Sequence, residues 1–329
     1  MLKVFVTRPI PEVGIKMLRE KGYEVIINEK ARDRAASEKE IIGALRQAQG
    51  KAPFDAILSV LTDKITSKVM DAGLPNLKII ANYAVGFDNI DLEAAKSRNL
   101  MVTNTPGVLT DSVAEHTFTL MLSIAHRIAE ADRFSRAGKY KVWGPELLLG
   151  SDLSGKTLGV VGLGRIGSRV AYHAVKGFDM KVVYTDVKQN PEFEQEFGAV
   201  FASTIDELLP KCDFVSIHVP LLPSTHHLIN ETRLKLMKPS AYLINTSRGP
   251  VIDEQALAMS LLKGEIQGAA IDVFEFEPDI TKGLKKLENI ILTPHIASAT
   301  RETRDKMAKL AAENIILALS GQTPPSLVR

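Results

Sequence analysis

The stretch Leu158-Gly159-Val160-Val161-Gly162-Leu163-Gly164-Arg165-Ile166-Gly167 decides the fold. A short apolar run leads into Gly-x-Gly-x-x-Gly, and an amphipathic segment over 168–175 leads out, so the glycines sit between a strand and a helix. Each glycine meets a separate steric demand. Gly162 makes the tight turn, Gly164 lets backbone approach a pyrophosphate, and Gly167 allows close helix–strand packing. The helix start adds unpaired N–H groups and a positive dipole end. The sequence therefore assigns Gly162, Leu163, Gly164, Arg165, Ile166 and Gly167 to a dinucleotide. The next strand-like run ends at Asp186, about 20 residues beyond Gly167, where a carboxylate accepts hydrogen bonds from a ribose 2′-OH and repels a 2′-phosphate. The expected cofactor is NAD(H) in preference to NADP(H). Lys188 offsets part of that repulsion, so NADP(H) stays possible.

Composition narrows what surrounds this motif. The 329 residues carry 41 basic and 39 acidic side chains, a net charge of +2, which provides no field for nucleic acid or an anionic membrane. Cys212 is the single cysteine, so neither an intramolecular disulfide nor a multi-thiolate metal site is expected. The longest apolar helical stretch, 113–128, carries Glu115, His116, His126 and Arg127 and does not suit a membrane span. The first strand-like run begins at Leu2, leaving no room for a signal peptide. A cytoplasmic location is expected.

Short apolar runs alternate with amphipathic stretches along the whole chain, the pattern of βαβ units and parallel sheets. Ahead of the fingerprint the runs are 4–6, 25–27, 56–58, 78–80 and 101–102. From the fingerprint onward they are 158–161, 181–184, 214–217, 242–244, 269–271 and 290–292. Between the two series, Ser112 and Glu115 are spaced as a capping box. Apolar residues then recur at helical intervals through Phe118, Met121, Leu122 and Ala125, predicting one long helix over 110–130. The last helix carries Met307, Leu310, Ala311 and Asn314 on one face and ends at Gly321.

Ligands in open α/β sheets bind outside the carboxyl ends of the strands. Three late strands run into polar residues there: 242–245 into Arg248, 269–271 into Asp272 and then Glu277, and 290–292 into His295. Their chemistry fits hydride transfer to a 2-oxo acid. A histidinium gives the proton that the carbonyl oxygen must take, and a carboxylate beside it favours the charged ring. A guanidinium grips carboxylate or carbonyl oxygens with a planar fork. His295 is thus the acid/base, Glu277 its orienting partner and Arg248 the substrate anchor.

His218 and Pro220 follow another strand on this edge and are candidates for the cofactor site, with packing the alternative for His218. His226 and His227 are adjacent, and in an extended chain they point to opposite faces. His116, His126 and His173 fall on predicted helices and suit packing or surface roles. Cys212 reads as buried packing. No metal is expected.

The chain resembles the D-isomer-specific 2-hydroxyacid dehydrogenases. The resemblance runs through 82–91, 112–115, 155–167, 245–249, 272–278 and 293–300, nearly the whole length. The family's Arg, Glu and His fall on Arg248, Glu277 and His295. The resemblance implies that the Val85 and Gly86 amides bind the substrate carboxylate, that Asp272 lies by the nicotinamide carboxamide, and that Thr246 is near the cofactor. It implies an α/β fold of two Rossmann-like or flavodoxin-like doubly wound parallel-sheet domains with a cleft between them. The substrate-binding domain would be 1–103 plus 300–329 and the NAD-binding domain 104–299. A homodimer acting on a small 2-oxo acid, with neither nucleic acid nor membrane as partner, completes the expectation.

Within the family the chain most resembles the glyoxylate/hydroxypyruvate reductases, through 143–145 and 294–303. Leu61 stands where the phosphoglycerate branch places basic residues, and an apolar wall suits an uncharged substrate tail. Asp186 departs from the polar or basic residue found in many NADPH-using members. The alternatives are a dehydrogenase of another acid, of D-lactate or phosphoglycerate type, and an NAD-sensing corepressor of the same fold.

Overall fold

Parallel strands need crossovers and bury both faces, so their sequences read as continuous apolar runs rather than alternating ones. That is what the strands of this chain show in the computed structural model, which describes residues 1–47 and 54–328. Contacts group the chain into two units, Met1–Leu109 with Ala299–Arg329, and Thr110–Ser298. The boundary expected at 103/104 falls at the end of a strand, and residues 104–109 go with the first unit.

In the first unit, β1 (Lys3–Val6), β2 (Glu24–Ile27), β3 (Ala56–Val60), β4 (Ile79–Tyr83) and β5 (Met101–Thr103) form a parallel sheet of order β2-β1-β3-β4-β5. This is the flavodoxin-like order. The C-terminal helix Arg301–Leu319 belongs to this unit and packs on the helix Glu12–Glu20. There Gly14 is required, because a Cβ on it would stand 2.6 Å from the Ala308 carbonyl oxygen. Ser320 ends the helix and Gly321 follows at φ +79°.

In the second unit, β6 (Thr157–Val161), β7 (Lys181–Thr185), β8 (Val200–Phe201), β9 (Phe214–Ile217), β10 (Tyr242–Asn245), β11 (Gly268–Ile271) and β12 (Ile290–Leu292) form a parallel sheet of order β12-β11-β10-β9-β6-β7-β8. The chain moves outward from β6 on one side, then returns to pair β9 on its other side. That reversal is the switch point of a Rossmann sheet. Alternate residues feed two separate cores: Val161, Val215, Leu243 and Ile271 one, Val160, Phe214, Ile244 and Ala270 the other. β8 is absent from the sequence reading, being only two residues long.

The predicted long helix stops early. It spans Thr110–Ala125, and a second helix follows at Ile128–Arg136. Arg127 between them is left-handed at φ +54°, a conformation that ends an α-helix. The Ser151 N–H caps the Ala125 carbonyl at 2.9 Å. The capping box is also corrected. With the helix starting at Thr110, Ser112 lies inside the first turn and is not the N-cap. Among the described residues no helix is long and apolar enough to cross a membrane.

Candidate active site

The glycine loop follows β6 as its spacing demands. Gly162 has φ +94°, and a Cβ there would meet the His218 backbone at 2.9 Å. A Cβ on Gly167 would stand 2.0 Å from the Gly162 carbonyl oxygen, so that contact of helix and turn is open only to glycine. Gly164 caps the helix Arg165–Phe178, and no heavy atom lies within 4 Å of where its Cβ would be. Asp186 follows β7 and faces the loop. Its Oδ2 accepts the Leu163 N–H at 2.6 Å and its Oδ1 the Val187 N–H at 2.7 Å. A carboxylate has about four lone-pair sites, so a ribose hydroxyl can still bind. Open backbone at a helix N-terminus beside a fixed carboxylate fits a dinucleotide.

The loops after β10, β11 and β12 are adjacent because their strands are. Register places Asn245 beside Ile271 and Ile271 beside Leu292, so β10 and β12 end about 10 Å apart. Buried Asn245 shapes the first loop: its Oδ1 accepts from Ser247 N–H and Oγ at 3.0 and 2.8 Å, and its Nδ2 donates to the Arg248 carbonyl at 2.9 Å. Gly249 then lies against the backbone of the second loop, where a Cβ would stand 1.9 Å from Phe274 C. The Phe274 N–H donates to Glu277 Oε1 at 3.0 Å. Glu277 in turn accepts from His295 Nδ1 at 3.0 and 3.2 Å through its two oxygens. A carboxylate only accepts, so Nδ1 carries the hydrogen and Nε2 is the nitrogen left for proton exchange.

His295 is left-handed, at φ +54°, uncommon for a residue with a side chain. Its N–H donates to the Asp272 carbonyl at 2.8 Å and the Thr293 carbonyl at 3.0 Å. The fully buried Asp272 carboxylate then accepts from Thr293 Oγ1 at 2.7 Å, Ile296 N–H at 2.9 Å and Ala297 N–H at 2.8 Å. Burial works to raise this carboxyl's pKa. The hydrogen bonds from His116, Ile296, Thr293 and Ala297 together outweigh it and hold the group below the ordinary carboxylate range. Asp272 therefore braces the turn that carries His295.

Sequence reasoning missed His116. Its Nε2 lies 3.5 Å from Asp272 Oδ1 and 3.4 Å from Thr293 Oγ1. The signal was present. Val113, His116, Thr117 and Leu120 recur at i, i+3, i+4 and i+7, which puts the ring on the helix's inward face.

The His218 backbone lies against the glycine loop, with its N–H on the Val161 carbonyl at 2.7 Å, while its ring Nε2 pairs with Ser216 Oγ at 2.8 Å. Burial pushes its pKa down to about 3, so the ring is neutral. Pro220 is exposed nearby. Thr246 Oγ1 donates to Thr117 Oγ1 at 3.0 Å, since the Thr117 hydroxyl spends its hydrogen on Val113 O. Burial raises the Cys212 thiol to about 12.

In the first unit, Leu61 follows β3, and Val85 and Gly86 follow the neighbouring β4. The carbonyls of this turn are all engaged: Ala84 O by Thr105 N–H at 2.8 Å, Val85 O by Asn104 Nδ2 at 2.7 Å, and Gly86 O by Asn82 Nδ2 at 2.9 Å. With the carbonyls held in this way they do not compete for the Val85 and Gly86 N–H groups, and successive N–H groups of a turn are the kind of backbone that the resemblance expects to bind a carboxylate.

The sequence expectation for His226 and His227 needs correction. They sit in a turn, with His227 at φ +49°, and their rings stack at 4.1 Å instead of pointing apart. A cavity of about 410 Å³, lined by Arg127, Ser151, Tyr242 and Ile290 among others, lies at the opposite, amino-terminal edge of the sheet.

The family model of the D-isomer specific 2-hydroxyacid dehydrogenase NAD binding domain matches residues 118–297. A glyoxylate reductase of Thermofilum pendens is 50% identical over 328 residues, 99% of this chain and 94% of that protein. The crystal structure of the TT0316 protein of Thermus thermophilus superposes with a TM-score of 0.91 at 41% identity over 100% of both chains. The NADPH-dependent glyoxylate/hydroxypyruvate reductase of Sinorhizobium meliloti, in complex with NADP and malonate, gives a TM-score of 0.84 at 30% identity over 99% of this chain and 96% of that one.

Proposed function

Because the chain belongs to the D-isomer specific 2-hydroxyacid dehydrogenase family, we propose that it reduces glyoxylate and hydroxypyruvate to glycolate and D-glycerate, in the cytoplasm and with NADH preferred. The observation that carries this reading is the His295–Glu277 pair, 3.0 Å at its shorter contact, on the sheet edge that also bears the glycine loop. When bound there, a nicotinamide cofactor supplies hydride to the carbonyl carbon. Glu277 holds His295 Nδ1–H, and Nε2 gives its proton to the carbonyl oxygen. Arg248 anchors the substrate carboxylate and polarises the carbonyl. Leu61 and the Val85 and Gly86 amides complete substrate binding in this reading, and Thr246, His218 and Pro220 the cofactor site.

The NADH preference rests on Asp186, whose fixed carboxylate repels a 2′-phosphate. A homodimer is supported by exposed apolar side chains crowded into one segment, Tyr140, Val142, Trp143, Leu147 and Leu149, and light scattering of the purified chain tests it. The test of function is oxidation of NADH and NADPH against a panel of 2-oxo acids. Turnover of glyoxylate and hydroxypyruvate, faster with NADH, is expected. A strong preference for pyruvate, or NADH binding without any turnover, overturns the reading.

A further inference from the structure

We infer that His226, His227 and Glu275 form a binding site for a divalent transition metal ion of the zinc class. The three residues each offer one ligand atom, and these atoms all lie within 4.8 Å of one another. Two imidazoles and a carboxylate are the donor set that zinc, cobalt and nickel accept, with room for water at the remaining position.

The turn is built to bring the rings together. Thr225 Oγ1 donates to the Pro220 carbonyl at 2.6 Å and accepts the Leu222 N–H at 2.8 Å, which closes the turn ahead of the histidines. His227 then takes its left-handed conformation while its N–H is held by the Pro250 carbonyl at 2.8 Å. Such strain persists where surrounding bonds over-determine it and gathers at functional sites. The result is two stacked rings at 4.1 Å, 29° apart.

Glu275 is oriented from behind. Its N–H donates to Glu254 Oε1 at 2.8 Å, and its Oε2 accepts the Glu254 N–H at 3.3 Å. That fixes the carboxylate in the way outer-shell partners fix metal ligands. Its Oε1 lies 2.7 Å from His227 Nε2, a hydrogen-bond distance. That contact accounts for His227 and Glu275 but gives no reason for His226 to stack beside them. An ion entering the site displaces the proton between Nε2 and Oε1, and the two atoms part by roughly half an ångström to reach zinc-ligand spacing. His226 is exposed, which gives the ion its path in.

The test uses untagged full-length protein titrated with Zn²⁺ by calorimetry and with Co²⁺ by visible absorption. One equivalent of each is expected, Zn²⁺ displacing Co²⁺ and its ligand-field bands, and Zn²⁺ raising Tm. His226→Ala and Glu275→Gln should each weaken binding by more than the ~10–100-fold that outer-shell changes cost, whereas His126→Ala should leave it unchanged. His226 is exposed, so its variant folds. Absence of stoichiometric binding, or binding that survives His226→Ala, overturns the site. Neither result bears on the reductase reading, because the readouts are binding and Tm.

Discussion

The carboxyl edge of the seven-stranded sheet is built in two different ways on the two sides of its switch point. Around β6 and β7 the groups proposed to work are backbone. Gly162 and Gly167 bring helix and turn together, Gly164 stays uncovered, and the one side chain involved, Asp186, is held by loop N–H groups. Across β10 to β12 the groups proposed to work are side chains, two of them backed by a buried polar residue: Asn245 behind Arg248, Asp272 behind His295. Holding a phosphate asks only for uncluttered N–H groups. Moving a proton asks for a ring aimed to within fractions of an ångström, which needs a supporting shell.

The sharpest separation of the two sides is His295→Ala. It should lower kcat/KM for glyoxylate by ~10²–10⁴-fold while the NADH dissociation constant, read by fluorescence, stays within about threefold. A matching loss of NADH binding would break the division. Asp272→Asn tests the support. One carboxylate oxygen is replaced by an NH2 donor that faces the Ile296 or Ala297 N–H, leaving donor against donor, a cost of about 1–3 kcal/mol. A misplaced His295 turn should then reduce kcat by up to ~10²-fold. The pH dependence follows from the lowered Asp272 pKa. A carboxyl depressed in the folded state contributes stability above its unfolded pKa of about 3.9, and that contribution fades as pH falls through the folded value. The Tm gap between wild type and Asp272→Asn should therefore be full at neutral pH and shrink in acid.

The same contrast explains what could be read from the sequence. Glycines forced by backbone contact stand out, because few other residues satisfy φ +94° at Gly162 or a 2.0 Å Cβ clash at Gly167. The five strand runs of the first sheet and six of the seven in the second are visible as apolar runs, most of them because parallel strands are buried on both faces, whereas the edge strand β2 is only half-buried and leaves Ile26 exposed. Arg248, Glu277 and His295 are legible as polar residues just past strand ends. Support is not. Asn82, four residues before Gly86, and Asn104, just past β5, pin two carbonyls of the 84–86 turn, and residue type alone does not mark either for that role. The break at Arg127 and the stacking of His226 on His227 both arise from single left-handed residues without glycine, where propensity points the other way.

On the binding side, Asp186→Ser should narrow the proposed NADH over NADPH preference by roughly tenfold, by removing one negative charge near the 2′ position. Equal cofactor preferences in wild type would already remove Asp186 from that role.

The smallest effect expected is at His116, and it probes how far the support shell reaches. The ring touches Asp272 and Thr293 only at 3.5 and 3.4 Å, the long end of hydrogen bonding, so its deletion forfeits about 0.5–1.5 kcal/mol. His116→Ala should therefore lower kcat only ~3–10-fold with KM for NADH unchanged, and His116→Gln, which keeps a donor, should recover part of it. His116 is also the largest of the influences lowering the Asp272 pKa. Its removal should raise that pKa, so that acid destabilisation begins at a higher pH than in wild type. If His116→Ala instead weakened NADH binding and left the acid limb in place, the ring would belong with the glycine-loop side of the edge.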